Sequence, residues 1–159
     1  MRFGVPYASL LLSLFTGSAV ADADPTLKVT TIVGKNGVSS VECWSLPAVV
    51  SGGVKITELA DLSNASYAVF PAGAAIDSGT HNAPHTQLFI ILKGGAVITF
   101  PNSSDVLHVR EDEIYIAADA VGTSDLGHHT VLEGGSHVLQ MPLAPGFLPD
   151  HTATEGRCP

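Results

Sequence analysis

The sequence predicts an all-β fold, a sandwich or a closed barrel, and three observations predict it. No window of a dozen residues places apolar side chains at the three- and four-residue spacing of an amphipathic helix. Sixteen Gly and ten Pro punctuate the chain every few residues. Between them lie nine short runs, many rich in Val, Ile, Phe and Thr, at the spacing typical of sandwiches and barrels.

The runs are Leu27 to Val33, Val54 to Leu59, Tyr67 to Phe70, Leu88 to Leu92, Ala96 to Phe100, Val106 to Val109, Ile114 to Ala117, Thr130 to Leu132 and His137 to Met141. Gly94-Gly95, between Leu92 and Ala96, is a hairpin signal. Pro101-Asn-Ser-Ser marks a second turn. Leu59 to Asn64 has room for a single helical turn. The Pro- and Gly-rich tail from Pro142 is expected to be loose unless Cys158 anchors it.

The start of the chain reads as a secretory leader over residues 1–21. Arg2 supplies the positive end, Val5 to Phe15 the apolar stretch, and Ala19-Val20-Ala21 the small residues of a cleavage site. Residues 22–159 are enough for one domain with its own core. Without Arg2 the chain carries six basic and fifteen acidic residues. That balance argues against nucleic acid and anionic membranes as partners, since little could neutralise phosphates. It names no substrate. Cys43 and Cys158 are the two cysteines, and in an exported chain such a pair reads as a disulfide. Asn64-Ala-Ser and Asn102-Ser-Ser are N-glycosylation sequons.

The segment Gly79-Thr-His-Asn-Ala-Pro-His-Thr-Gln-Leu-Phe-Ile-Ile-Leu-Lys-Gly94 concentrates the chemistry. Two imidazoles and a carboxamide precede a five-residue apolar run, so polar groups stand where a strand enters a core. Such placement costs free energy unless each group finds a partner. In one straight strand His81 and Gln87 would be about 20 Å apart. They converge only if the chain turns, and Ala83-Pro84 is the natural corner. His85 and Gln87 would then share one face of the next strand, with Leu88, Ile90 and Leu92 on the other. His128 comes directly after Gly127 and opens a further strand that a barrel could bring across to His81 and Gln87. Asp119 reads either as a turn-shaping residue or as a base or support for an imidazole. Trp44 reads as core or as a lid. His129 should face away from His128, and His108, His137 and His151 read as surface. Glu111-Asp-Glu113 reads as a solvated turn.

These two segments resemble the paired motifs of the cupin superfamily. Gly79, His81, Gln87, the aliphatic run to Leu92 and Gly94 match the first motif, and Gly127-His128 matches the second. Together with Cys43-Trp44, the His-Asn-Ala-Pro block and Cys158, they resemble small secreted single-domain cupins of filamentous fungi. The resemblance implies a jelly-roll barrel of two antiparallel sheets over 22–159, secreted, with a homodimer as the default assembly. It also implies a pocket lined by His81, His85, Gln87 and His128. The chain departs from the pattern where Ala83 replaces the second His and Gln87 replaces Glu.

Two uses of that pocket stand side by side. In one, His81, His85, Gln87 and His128 hold one divalent transition metal (Zn, Fe, Cu, Ni or Mn). In the other, His81, Gln87 and His128 form a hydrogen-bonded network without metal. The resemblance implies an enzyme on a small apolar or phenolic molecule, an oxidoreductase, dioxygenase or isomerase of secondary-metabolite tailoring, with His81 and His128 as catalytic groups. The alternative is a non-catalytic extracellular protein that binds a small ligand or carbohydrate. No Gly-x-Ser-x-Gly, phosphate-binding loop or His-Glu-x-x-His occurs, so nucleophilic-serine, nucleotide and zincin chemistry have no support.

Overall fold

A computed structural model describes residues 26–51, 54–57 and 64–159. The expected leader, and the helical turn apart from Asn64, fall outside the described residues. Among these residues there are thirteen strands and no helix. They are β1 (Thr26–Lys35), β2 (Val38–Pro47), β3 (Val49–Ser51), β4 (Val54–Ile56), β5 (Ser66–Val69), β6 (Ile76–His81), β7 (Gln87–Lys93), β8 (Ala96–Thr99), β9 (Val106–Val109), β10 (Ile114–Ala118), β11 (His128–Leu132), β12 (His137–Pro142) and β13 (Thr152–Glu155).

Seven strands form one sheet in the order β13-β2-β1-β10-β7-β12-β5, and four form a second in the order β6-β11-β8-β9. β3 and β4 make a separate hairpin. All pairs run antiparallel except β1 with β10, which is parallel. The larger sheet buries apolar side chains on both faces, which is why β7 reads as a continuous apolar run rather than an alternation. Facing the smaller sheet are Ile32, Val41, Phe89, Ile91, Tyr115, Ala117 and Val138, packed against Ala96, Ile98, Leu107, Val109 and Leu132. On the opposite face Val29, Val33, Trp44, Leu46, Leu88, Ile116, Met141 and Leu143 form a second cluster. At the rim of that face Leu92 is exposed.

Gly94-Gly95 is not a hairpin turn. β7 belongs to the larger sheet and β8 to the smaller, so the two glycines carry the chain around the corner between sheets. Close approach explains them: a Cβ on Gly94 would collide with Ser136, and Gly94 has φ +85°. Pro101-Asn-Ser-Ser does join a pair, β8 with β9.

The tail is anchored. Cys43 and Cys158 are bonded, with Cα atoms 4.8 Å apart. β13 pairs with β2, Cys158 N donates to Thr30 Oγ1 at 3.2 Å, and Arg157 donates to both Glu113 oxygens at 3.0 and 2.7 Å. Glu113 also accepts the Tyr115 hydroxyl. Burial and that bond push the Tyr115 phenol up to about 12. The acidic triplet is therefore more than a solvated turn, since Glu111 also accepts Gly94 N at 2.6 Å.

Candidate functional site

β6 ends at His81, the chain bends through 82–86, and β7 starts at Gln87. The corner lies at Ala83-Pro84, and Asn82 bolts it down: its Nδ2 donates to Asp119 O at 3.1 Å and Ser124 O at 3.0 Å. β11 runs antiparallel to β6 with His128 directly opposite His81. Their rings lie 4.8 Å apart, centroid to centroid. Gly127 makes this register possible. Its φ of +68° and its approach to the His81 carbonyl leave no space for a Cβ.

His81, Gln87 and His128 line one cavity of about 150 Å³ between the sheets. Its walls are mostly apolar, including Ile32, Phe89, Ile91, Ile98 and Val138, and no Lys, Arg, Asp or Glu is among its lining residues. Ser78, His81 and Pro84 mark the open end, where His81 and Pro84 are exposed. Gln140 and Thr130 add polar atoms.

His128 is the best-supported group. It is buried, and its Nδ1 lies 2.7 Å from Oδ2 of Asp119, which is 0 % exposed. A carboxylate only accepts, so Nδ1 carries the proton of this bond and Nε2 is the ring nitrogen left to the cavity. His81 is held the same way: Nδ1 donates to Gly79 O at 3.1 Å. Asp119 thus supports an imidazole rather than merely shaping a turn. Its Oδ2 also accepts Ser39 Oγ at 2.8 Å, and Oδ1 has no partner among the described residues. Ser39, Ser124 and Asn82 were not singled out by the sequence. Only the approach of segments some eighty residues apart reveals Ser39 and Ser124 as neighbours.

His85 does not join this group. It lies in the bend, outside β7, so strand parity does not reach it. It is exposed and lines a separate outer groove with Trp44, Phe147 and His151. The pocket of four side chains is therefore a pocket of three. Trp44 is core: it is 3 % exposed, donates Nε1 to Glu42 at 2.9 Å, and is capped by the His151 ring at 3.5 Å. His129 turns outward to Asp77 at 2.7 Å, and His137 pairs with Tyr67. Hydrogen bonds from Gly79 N–H and His129 hold the Asp77 carboxyl below its ordinary range. Asn64 and Asn102 are both exposed.

The metal set read from the sequence is not assembled. Among the described residues no group of three or more His, Cys, Asp or Glu is placed to hold a metal ion. The cavity offers two imidazoles and a neutral carboxamide, without a third imidazole or an anionic ligand. That falls short of the donor sets of catalytic transition-metal centres.

No protein-family model matches the chain, and no curated protein matches it. Among solved structures, it is similar to a crystal structure described as "a putative mannose-6-phosphate isomerase" from Ralstonia eutropha JMP134. Identity is 14%, the alignment covers 87% of this chain and 100% of that one, and the TM-score is 0.29. At that level it carries no argument about this protein.

Proposed function

We propose that this chain is a secreted cupin-type barrel that takes a small, uncharged, largely apolar or phenolic molecule into the cavity between its sheets and moves a proton on it. The observation that carries the reading is the buried Asp119–His128 pair, with His81 directly across from it, at an apolar cavity. Asp119 orients His128 and stabilises the imidazolium formed when Nε2 takes a proton from the ligand. His128 returns a proton to a second atom of the ligand, either the one it took or a solvent proton exchanged in by way of His81 at the open end, so the ligand leaves neutral. Nothing is oxidised or reduced, so an isomerase or tautomerase fits better than an oxidoreductase. The cavity is on the order of one that accepts benzene, which limits the ligand to a single ring or a short chain. With no cation in the lining, a phosphate or carboxylate would enter unpaired and at a large desolvation cost. The disulfide suits an oxidising compartment.

Ligand-observed NMR with phenol and cyclohexanone, paired with deuterium uptake at the cyclohexanone α-carbon in D₂O, tests the reading. Binding is expected in the wild type and lost in Ala117→Leu, which fills the cavity. Exchange is expected to fall about 10²-fold or more in His128→Gln while phenol still binds. Binding without exchange leaves the carrier alternative, which the uncharged apolar cavity also suits. No binding of either probe refutes both.

A further inference from the structure

We infer that Ser39 is a positioning residue for His128, acting through Asp119. The inference rests on the proposed role of His128 only where activity is measured. The hydrogen-bond directions are fixed by chemistry. Gly127 N–H can only donate, so Ser124 Oγ accepts from it at 3.0 Å. The Asp119 carboxylate can only accept, so Oδ2 receives His128 Nδ1–H at 2.7 Å and the Ser39 hydroxyl at 2.8 Å. Ser39 has then used its single proton, and its 2.7 Å contact with Ser124 has Ser124 as donor. The chain runs one way, from Gly127 N–H through Ser124 and Ser39 to Asp119, and meets the proton of His128 on the same oxygen.

All four side chains are buried: Ser39 3 %, Ser124 5 %, Asp119 0 % and His128 5 %. Both donors fall on Oδ2 and neither on Oδ1. A carboxylate can roll about its last bond and exchange its oxygens. Two donors set at a fixed angle prevent this, and one donor does not. Without the Ser39 hydroxyl, His128 is the sole restraint on the group that restrains it. Loss of the Ser124 hydroxyl cuts the chain between Gly127 and Ser39 but leaves Ser39 bonded to Asp119. The backbone is held independently, because Asn82 clamps the Asp119 and Ser124 carbonyls in either variant. Two buried Ser→Ala changes of equal size are thus expected to differ.

The test is solvent exchange of the His128 Nδ1 proton, observed by NMR on the whole protein and assigned by its disappearance in His128→Gln. Ser39→Ala should speed exchange by about tenfold, the scale of one charge-assisted hydrogen bond, and Ser124→Ala by less than about threefold. Ser39→Thr, which keeps the hydroxyl, should stay near wild type. Should Ser39→Ala not fold, Ser39→Cys, with a weak donor in nearly the same volume, carries the same expectation. Equal effects of the two serines, or unchanged exchange in Ser39→Ala, overturn the inference. In the deuterium-uptake assay Ser39→Ala should lower kcat with KM unchanged. If no ligand is ever turned over, the proposed function fails while the exchange measurement still decides the role of Ser39.

Discussion

Replacing Cys43 and Cys158 together by Ala should lower stability by about 5 kcal/mol, a figure set by where the bond sits. It joins residues 115 positions apart, so it closes nearly the whole domain into a ring. In the chain-entropy account, closing a loop of that length removes roughly 16 cal/mol/K from the unfolded chain, or about 4.8 kcal/mol at 25 °C. The native state loses little beside the bond. β13 keeps its four-residue ladder on β2, Arg157 keeps both bonds to Glu113, and Cys158 N keeps Thr30. The cost therefore lies mainly in the unfolded state. For a domain near this size it corresponds to a fall in Tm of roughly 17 °C. Guanidinium unfolding of the oxidised wild type and the double variant gives the difference directly, and equal slopes establish that the unfolded states expose similar surface. A loss below about 2 kcal/mol would refute the reasoning. It would mean either that the unfolded chain is already compact around this contact or that the bridge strains the fold.

Gly127→Ala should destabilise by roughly 1–2 kcal/mol from its left-handed backbone alone, and by more from collision with the His81 carbonyl; phenol binding should be lost before the fold is, as measured by NMR titration against melting. Stability should hold above about pH 4.5 and fall below it, which acid titration by circular dichroism checks. Glu113 is held low by the Tyr115 hydroxyl and then Arg157. Glu42 is pushed up by burial but held low on balance by hydrogen bonds from Lys35 and Trp44. For a carboxylate with a depressed folded pKa, the stabilisation is present above its unfolded pKa and lost as pH drops through the folded one. Arg157→Ala should cost less than about 1 kcal/mol, because that pair is part-exposed. Gln87→Glu should create a cation site. At about 3 Å and an effective dielectric near 20 the new charge attracts a divalent ion by roughly 10 kcal/mol before desolvation. Elemental analysis after dialysis should find metal in the variant and none at stoichiometric level in the wild type. Stoichiometric metal in the wild type would overturn the reading of its donor set.

The strands legible in the sequence were those whose side chains do the packing. Each of the nine apolar runs coincides with a strand, with Thr57, Phe70 and Phe100 just past the strand ends and residues 58–59 outside the described residues. The strands that escaped had other reasons to be extended. β6, Ile-Asp-Ser-Gly-Thr-His, carries almost no apolar side chain, because it lies at the open end of the cavity and is held by its ladder to β11. β13 is exposed along its whole length and exists because β2 offers an edge and the disulfide delivers the tail to it. β2 buries side chains on both faces, so its serines fall among apolar neighbours and hide the alternation. Asp119 was half legible. It directly follows β10, which ends at Ala118, and the polar residue there is 0 % exposed. That it meets His128 depends on how the next loop closes. His85 was misplaced because strand parity was extended back from Gln87 into the bend that follows Pro84, where there is no strand.

A core and a binding site differ in what they leave unsatisfied, and this cavity shows the difference residue by residue. His128 is buried at little cost because Asp119 accepts its Nδ1–H, and Asp119 is buried because His128 and Ser39 both donate to it. His81 is exposed and can rely on water. Gln87 fits neither pattern. It is 7 % exposed, its strand neighbours are packed, and no hydrogen bond to its carboxamide is found among the described residues. Its amide is not sealed in: the buried side-chain atom left without a partner among the described residues is Asp119 Oδ1, and Gln87 lines the cavity. The amide makes sense as a group whose partner is the ligand. Phenol should therefore bind more tightly than benzene by about 1–2 kcal/mol, roughly the worth of one hydrogen bond in a dry site. In Gln87→Leu the preference should shrink or invert, while the variant itself loses no stability. A Leu variant that is less stable, or that keeps the preference, would make Gln87 a structural residue and leave the anchoring to His128 and the other polar lining groups.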